Sequence, residues 1–203
     1  MFRMAHPYPR HRANLPYTGK YHYFLTFCTD QRRPAFKDAD IVYQAYVQFL
    51  RAAGTHGFEI IAYCFMPDHL HFVSHGTSEH SDCKAFIKAA KQYSGYAFKQ
   101  RHDQRLWQRY GFERVIRDDA ELASTIGYII LNPVRAGLVA HPSDYPHLGS
   151  QIYSVDELLK MCEYRAESAD LPPEGGSHGV SPVPVASASG GRIQIDAKIE
   201  RHA

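Results

Sequence analysis

Two histidines separated by one residue stand inside an apolar and aromatic run: His69 and His71 in "AYCFMPDHLHFVSHG", Ala62 to Gly76. On a strand, residues i and i+2 point the same way, so the two imidazoles stand side by side with Val73 and His75, while Leu70 and Phe72 face the other layer. Two neutral imidazoles so placed can share one divalent cation, which answers the cost of burying them. The alternative is one histidine at a wet sheet rim and the other bonded to a backbone carbonyl; the spacing alone leaves both open. Other H-x-H chemistries lack their partners. A histidine triad needs a third histidine where Val73 stands, the H-E-x-x-H of helical zinc sites is absent, and an amidohydrolase-type barrel needs about 250 residues.

A third ligand and a nucleophile are offered by "STIGYIILNPVRAGLV", which puts Tyr128 and Asn132 at i and i+4, on one face of a helix. Asn132 brings a carbonyl oxygen at the helix end and Tyr128 a phenol one turn back. Laid against the histidine face, they would make a site of two nitrogens and an amide oxygen beside a hydroxyl. The plainer alternative packs Tyr128 in the core and uses Asn132 as a cap.

These groups need elements to hold them. "YHYFLTFCT" (Tyr21 to Thr29) is rich in strand formers. Val42, Tyr46, Phe49, Leu50 and Ala53 recur at helical spacing over Ala39 to Ala53. "FEIIAYCFM" and "HLHFVSHG" read as a hairpin joined at Met66-Pro67-Asp68, since Pro67 has no donor for a ladder. A second helix, with Ser81 as its expected cap, carries Lys84, Lys88 and Lys91 on one side. "FERVIR" (Phe112 to Arg117) reads as a fourth strand, and "DDAELASTIGYIILN" as a third helix ending near Asn132, before Pro133. The order strand, helix, strand, strand, helix, strand predicts an α+β fold of the ferredoxin-like, split βαβ kind. Its four-stranded antiparallel sheet carries helices on one face, and the added tyrosine-bearing helix is free to cover the other face or an edge.

Hydrophobic residues make up 44% and charged residues 22% of the 203-residue chain, a balance that reads as soluble and globular. No apolar run approaches the roughly 20 residues that span a bilayer, and "MFRMAHPYPRHRANLP" has no apolar signal core, so a cytoplasmic protein without membrane partners is expected. Cys28, Cys64, Cys83 and Cys162 form no C-x-x-C pair and are expected to be reduced. Net charge is only +2, but from Asp82 to Arg117 nine Lys and Arg face three acids, a local excess of six. That suits a polyanion. An N-terminal arm over 1–14, one folded unit over 15–165 and a Pro-, Gly- and Ser-rich disordered tail over 166–203 complete the expected organisation.

"MPDHLHFV" and "YIILNPVRAGLV", joined by "LWQRYGFERVIRD", resemble the single-tyrosine HUH transposases, and most of all the REP-associated tyrosine transposases. The likeness spans roughly Tyr21 to Tyr145. It implies a ferredoxin-like fold, His69, His71 and Asn132 as metal ligands, and Tyr128 as nucleophile. Glu113 departs from the Asp that family members often carry there. The implied reaction is nicking and rejoining of single-stranded DNA, on REP-like hairpins, through a 5′-phosphotyrosine. The implied cofactor is a divalent ion, Mg2+ or Mn2+; imidazole with amide oxygen suits Mn2+ better, while cellular abundance favours Mg2+. Arg32, Arg33, Lys84, Lys88, Lys91, Arg114 and Arg117 are candidates for phosphate contacts, and Tyr93, Tyr96 and Tyr110 for base stacking; Trp107 either stacks on a base or fills the core, and the core is expected. The acting unit is a monomer or a homodimer. The rival readings are a hairpin DNA- or RNA-binding module that does not cut, and a metal-dependent phosphodiesterase that uses water.

Overall fold

The computed structural model describes residues 16–166. The expected arm over 1–14 and the tail beyond residue 166 lie outside them. The main elements are β1 (His22–Cys28), α1 (Ala39–His56), β2 (Phe58–Met66), β3 (His69–Gly76), α2 (Cys83–His102), β4 (Phe112–Ile116), α3 (Asp119–Ile130), α4 (Asn132–Arg135), β5 (Leu148–Gly149) and α5 (Val155–Ala166).

The sheet order is β4-β1-β3-β2-β5, with every pairing antiparallel. The four expected strands take the split βαβ arrangement with β3 in the interior. A fifth strand extends the expected sheet: two residues of β5 pair with Tyr63 and Cys64 of β2. Two residues are too few to leave a periodic signal. Period-2 alternation divides the apolar residues between two cores. Tyr23, Leu25, Phe27, Leu70 and Phe72 pack with Phe49 of α1 and Phe86 of α2 on one face. Phe24, Cys64, Met66 and Val73 pack with Ile126, Ile129 and Ile130 of α3 and Leu158 of α5 on the other. The tyrosine-bearing helix therefore covers the second face of the sheet.

One irregularity sets which residues share the second face. A β-bulge between Ile60 and Ala62 puts both Ile61 and Ala62 into the second core and resets the alternation of β2. From there Cys64 lies opposite His71 and Met66 opposite His69, so the histidine pair has apolar neighbours on one flank. On the other flank, β1 sets Thr26 opposite His71 and Cys28 opposite His69.

The helix ends follow local chemistry. Gly57 closes α1 in the left-handed conformation at φ 67°, one turn beyond the expected end at Ala53. The cap of α2 is Asp82, whose side chain accepts from the Ala85 N–H. Ser81, the expected cap, is buried and donates to the Gly57 carbonyl at 2.7 Å instead. Helix α5 was not expected, yet its start is a capping box: the Glu157 N–H donates to Ser154 Oγ, and the Ser154 N–H to Glu157 Oε2 at 2.7 Å. Trp107 lies in the first core as expected, its indole N–H donating to Ser94 Oγ at 2.8 Å.

The loop ahead of β4 presses on the strand that carries Thr26. A Cβ added at Gly111 would meet the Phe27 ring and come within 2.8 Å of the Thr26 carbonyl oxygen. Gly111→Ala should therefore destabilise the protein by about 1–3 kcal/mol. Chemical denaturation of the two proteins side by side measures this, and equal midpoints would show that the loop yields freely.

Candidate active site

The two histidines converge. His69 and His71 sit on the α3 side of β3, with their Nε2 atoms 3.0 Å apart and their rings at 83° to one another. Each Nδ1 has its own partner. Asp68 Oδ1 lies 2.6 Å from His69 Nδ1, and Thr26 Oγ1 lies 2.7 Å from His71 Nδ1. A carboxylate only accepts, so Asp68 puts the His69 proton on Nδ1 and leaves the Nε2 lone pair facing His71. A hydroxyl donates or accepts, so Thr26 serves either tautomer of His71.

Asp68 is fixed from several sides. Its carbonyl accepts from Thr29 N–H and Thr29 Oγ1, each at 2.9 Å, and the preceding Pro67 carbonyl accepts from Phe36 N–H at 3.0 Å. Arg32 Nη1 donates to Asp68 Oδ2 at 3.2 Å. Burial pushes the Asp68 carboxyl pKa up, but hydrogen bonds and charge from His69 and Arg32 outweigh it and hold the pKa below its ordinary value. His71 is driven well below the usual imidazole range, by burial first, then by His69, Arg32 and Arg135, with Asp68 opposing. It is therefore neutral, the form in which imidazole ligates a metal.

This donor set fits a divalent ion. At a metal–nitrogen distance of about 2.1 Å, two ligand nitrogens at a right angle stand about 3.0 Å apart, the separation His69 and His71 have. Among the described residues no group of three His, Cys, Asp or Glu side chains could hold a metal, so the expected third ligand is of another type. Asn132 is of that type, and its buried Nδ2 has no hydrogen-bond partner among the described residues. A half-turn of the carboxamide exchanges that nitrogen for the carbonyl oxygen.

Tyr128 of α3 stands against the pair. Its ring meets His71 edge-on, with centroids 5.5 Å apart and planes at 76°. It meets Phe24 in the same way at 6.0 Å, and Phe24 stacks on His71 at 5.8 Å. The tyrosine is 42% exposed. The expected unbroken helix from Tyr128 to Asn132 is corrected. Helix α3 ends at Ile130, Leu131 turns at ψ −6°, and Asn132 opens α4. Pro133 has no N–H to continue the ladder, so the helix restarts around it.

Residues 17–129 match the family described as Transposase IS200 like. The chain belongs to that family. A Haemophilus influenzae protein named as a REP-associated tyrosine transposase is 28% identical over 138 residues, which is 62% of this chain and 77% of the relative. A solved REP-associated tyrosine transposase bound to a REP hairpin aligns with a TM-score of 0.61 at 19% identity, over 87% of this chain and all of the other. That likeness supports the fold. A Deinococcus radiodurans structure described as a transposase aligns with a TM-score of 0.43, over 62% of this chain and 97% of the other.

Several of the basic residues considered for phosphate contact in this chain are engaged inside the protein. Arg33 donates to Gln104 Oε1, to the Arg105 carbonyl and to the Asp30 carbonyl. Lys91 Nζ donates to the Gln108 and Arg109 carbonyls at 2.8 and 3.3 Å, and burial pulls its pKa down to about 8. Arg114 joins β4 to α3 through Thr125 Oγ1 and Glu121 Oε1, both at 3.1 Å. Arg32 holds Asp68. Lys84, Lys88 and Arg117 are exposed, and Lys84 lies 4.1 Å above the Tyr17 ring. The lysine helix α2 packs on the opposite face of the sheet from α3. Of the tyrosines considered for base stacking, Tyr96 and Tyr110 are exposed, while Tyr93 is partly buried with Arg51 4.7 Å above its ring.

Sequence reasoning missed Thr26, because only strand pairing puts it beside His71, and treated Asp68 as a turn residue. Thr26→Val should weaken Mn2+ binding about 10- to 100-fold, the usual effect of removing a partner that orients a ligand histidine. Thr26→Ser should bind as the parent does. Calorimetric titration with Mn2+ distinguishes them, and equal affinity in Thr26→Val would show that the hydroxyl does not orient His71.

The neutral His71 also makes stability depend on pH. Unfolded, it takes a proton near 6.5; folded, it resists protonation. The unfolded chain thus binds more protons below about pH 6.5, and stability of the metal-free protein falls as pH drops through that value. Denaturation midpoints in chelator, from about pH 7.5 to about pH 5, should fall less steeply in His71→Gln. Identical slopes would count against a buried neutral imidazole.

Proposed function

We propose that this chain is a metal-dependent transesterase that nicks and rejoins single-stranded DNA at a hairpin, with Tyr128 as nucleophile. The observation that supports it best is Tyr128 set edge-on to His71, whose Nε2 faces that of His69 at 3.0 Å. Nucleophile and ligand pair come from one chain, which supports a site completed within a single protomer. The relative solved with a REP hairpin makes hairpin DNA the first substrate to test.

Each residue then has a task. Asp68 and Thr26 hold the two imidazoles so that their Nε2 atoms stay turned toward one point. His69, His71 and Asn132 would hold Mn2+ or Mg2+, which when bound supplies Lewis-acid polarisation of the scissile phosphate. Tyr128 Oη forms the bond to phosphorus as the bond to the 3′ oxygen breaks; the phenolic proton leaves to solvent and the 3′ oxygen takes one up. The product is a 5′-phosphotyrosine and a free 3′-hydroxyl. A second 3′-hydroxyl reverses the step, because the ester bond is conserved. Lys84, Lys88 and Arg117 are exposed cations that can contact the DNA backbone where it runs beyond the site, Lys84 and Lys88 from the face of the sheet opposite the histidines; Arg32 reaches the site through its bond to Asp68.

Labelled hairpin DNA incubated with the protein and Mn2+, then denatured, should yield a covalent adduct absent from Tyr128→Phe. His69→Ala and His71→Ala should abolish the adduct while leaving hairpin binding largely intact. Cleavage that persists in Tyr128→Phe would identify a phosphodiesterase using water. Reversible binding alone would identify a hairpin-binding module.

A further inference from the structure

Arg135 closes over the tyrosine from the far side of the helix break. Its guanidinium carbon lies 4.5 Å from the centroid of the Tyr128 ring, within the range of an attractive cation–π contact. The same side chain donates from Nη2 to the Tyr128 carbonyl at 2.6 Å. One residue thus grips both the backbone and the ring of Tyr128, from seven positions along the chain.

The grip depends on the break. Arg135 is the last residue of α4, where Leu131 and Pro133 have turned the chain, and its own N–H donates to the Leu131 carbonyl at 2.9 Å. Carbonyls at a helix end lack intrahelical donors, and a guanidinium offers several in a fixed fork. One N–H is spent on the Tyr128 carbonyl while the guanidinium carbon stays over the ring. Phe24 and His71 meet that ring edge-on. Arg135 lies over that ring while Phe24 and His71 contact it, so three side chains hold it in place. Tyr128 is otherwise an exposed side chain at a helix end, where rotamer freedom is large.

We propose that Arg135 is a positioning residue for the transesterification, holding Tyr128 against the histidine pair of its own chain. This rests on Tyr128 being the nucleophile. A reacting oxygen displaced by about 1 Å can cost on the order of 100-fold in rate, so release of the ring should appear in the chemical step and not in DNA affinity.

Single-turnover adduct formation on labelled hairpin DNA with Mn2+ tests this, beside hairpin affinity measured without metal. In Arg135→Ala the rate of phosphotyrosine formation should fall about 10- to 100-fold, with hairpin affinity within about twofold of the parent. Arg135→Met, which keeps most of the stem and loses the fork, should fall equally. Arg135→Lys should recover part of the rate, and guanidinium ion at a non-denaturing concentration should restore part of it to Arg135→Ala. An unchanged rate in Arg135→Ala, or a loss of hairpin affinity that matches the loss of rate, overturns the assignment. If the parent protein and Tyr128→Phe form the adduct equally, the nucleophile is misassigned, and that outcome is separate from either result at Arg135.

Discussion

Two imidazoles in the interior of a sheet must find partners for four ring nitrogens, and the site depends on how that requirement is met. Nδ1 of His69 goes to a carboxylate at the hairpin turn, and Nδ1 of His71 to a hydroxyl on the neighbouring strand. The two Nε2 atoms are left facing each other. Neither outer partner is free to wander. Thr26 is set by the pairing of β1 with β3, and Asp68 is tied down by Thr29 and Arg32. Rigidity of the outer partners becomes rigidity of the ligands.

The sheet serves two masters by alternation. One face is closed by α1 and α2 over a core rich in aromatic residues, which gives the strands a fixed floor. The other face carries the histidines and is only partly closed, by α3 and α5. The aliphatic side of α3 buries Ile126, Ile129 and Ile130. Burial of these residues fixes the helix, and the helix brings Tyr128 to the edge of the core, beside His71 and still open to solvent. Core packing thus locates the tyrosine without enclosing it.

Positive charge is divided between two uses. Arg33, Lys91 and Arg114 tie loops and layers together by donating to carbonyls, a carboxylate and a hydroxyl within the protein. Lys84, Lys88 and Arg117 keep their charge in water. The sequence shows one basic block, and its excess of charge does not reveal which members are already engaged. A long flexible side chain finds a buried carbonyl only when a loop folds over it, as residues 108 and 109 do over Lys91.

The sequence by itself determined the order of the four main strands and of the three helices α1, α2 and α3, the face shared by His69 and His71 and the candidacy of Tyr128. These follow from periods of 2 and 3.6 residues, from proline's missing donor and from a motif with fixed spacing, all of them local properties. The capping box at Ser154 and Glu157 is equally local and legible. Tertiary structure alone decided that Thr26 meets His71, that the bulge at Ile60 and Ala62 sets Cys64 and Met66 beside the pair, that two residues at Leu148 and Gly149 extend the sheet, and that Arg135 folds back over Tyr128. Each of these depends on strand register or on the direction of a chain after a break, and both are settled by packing between segments far apart in sequence, which no local pattern encodes.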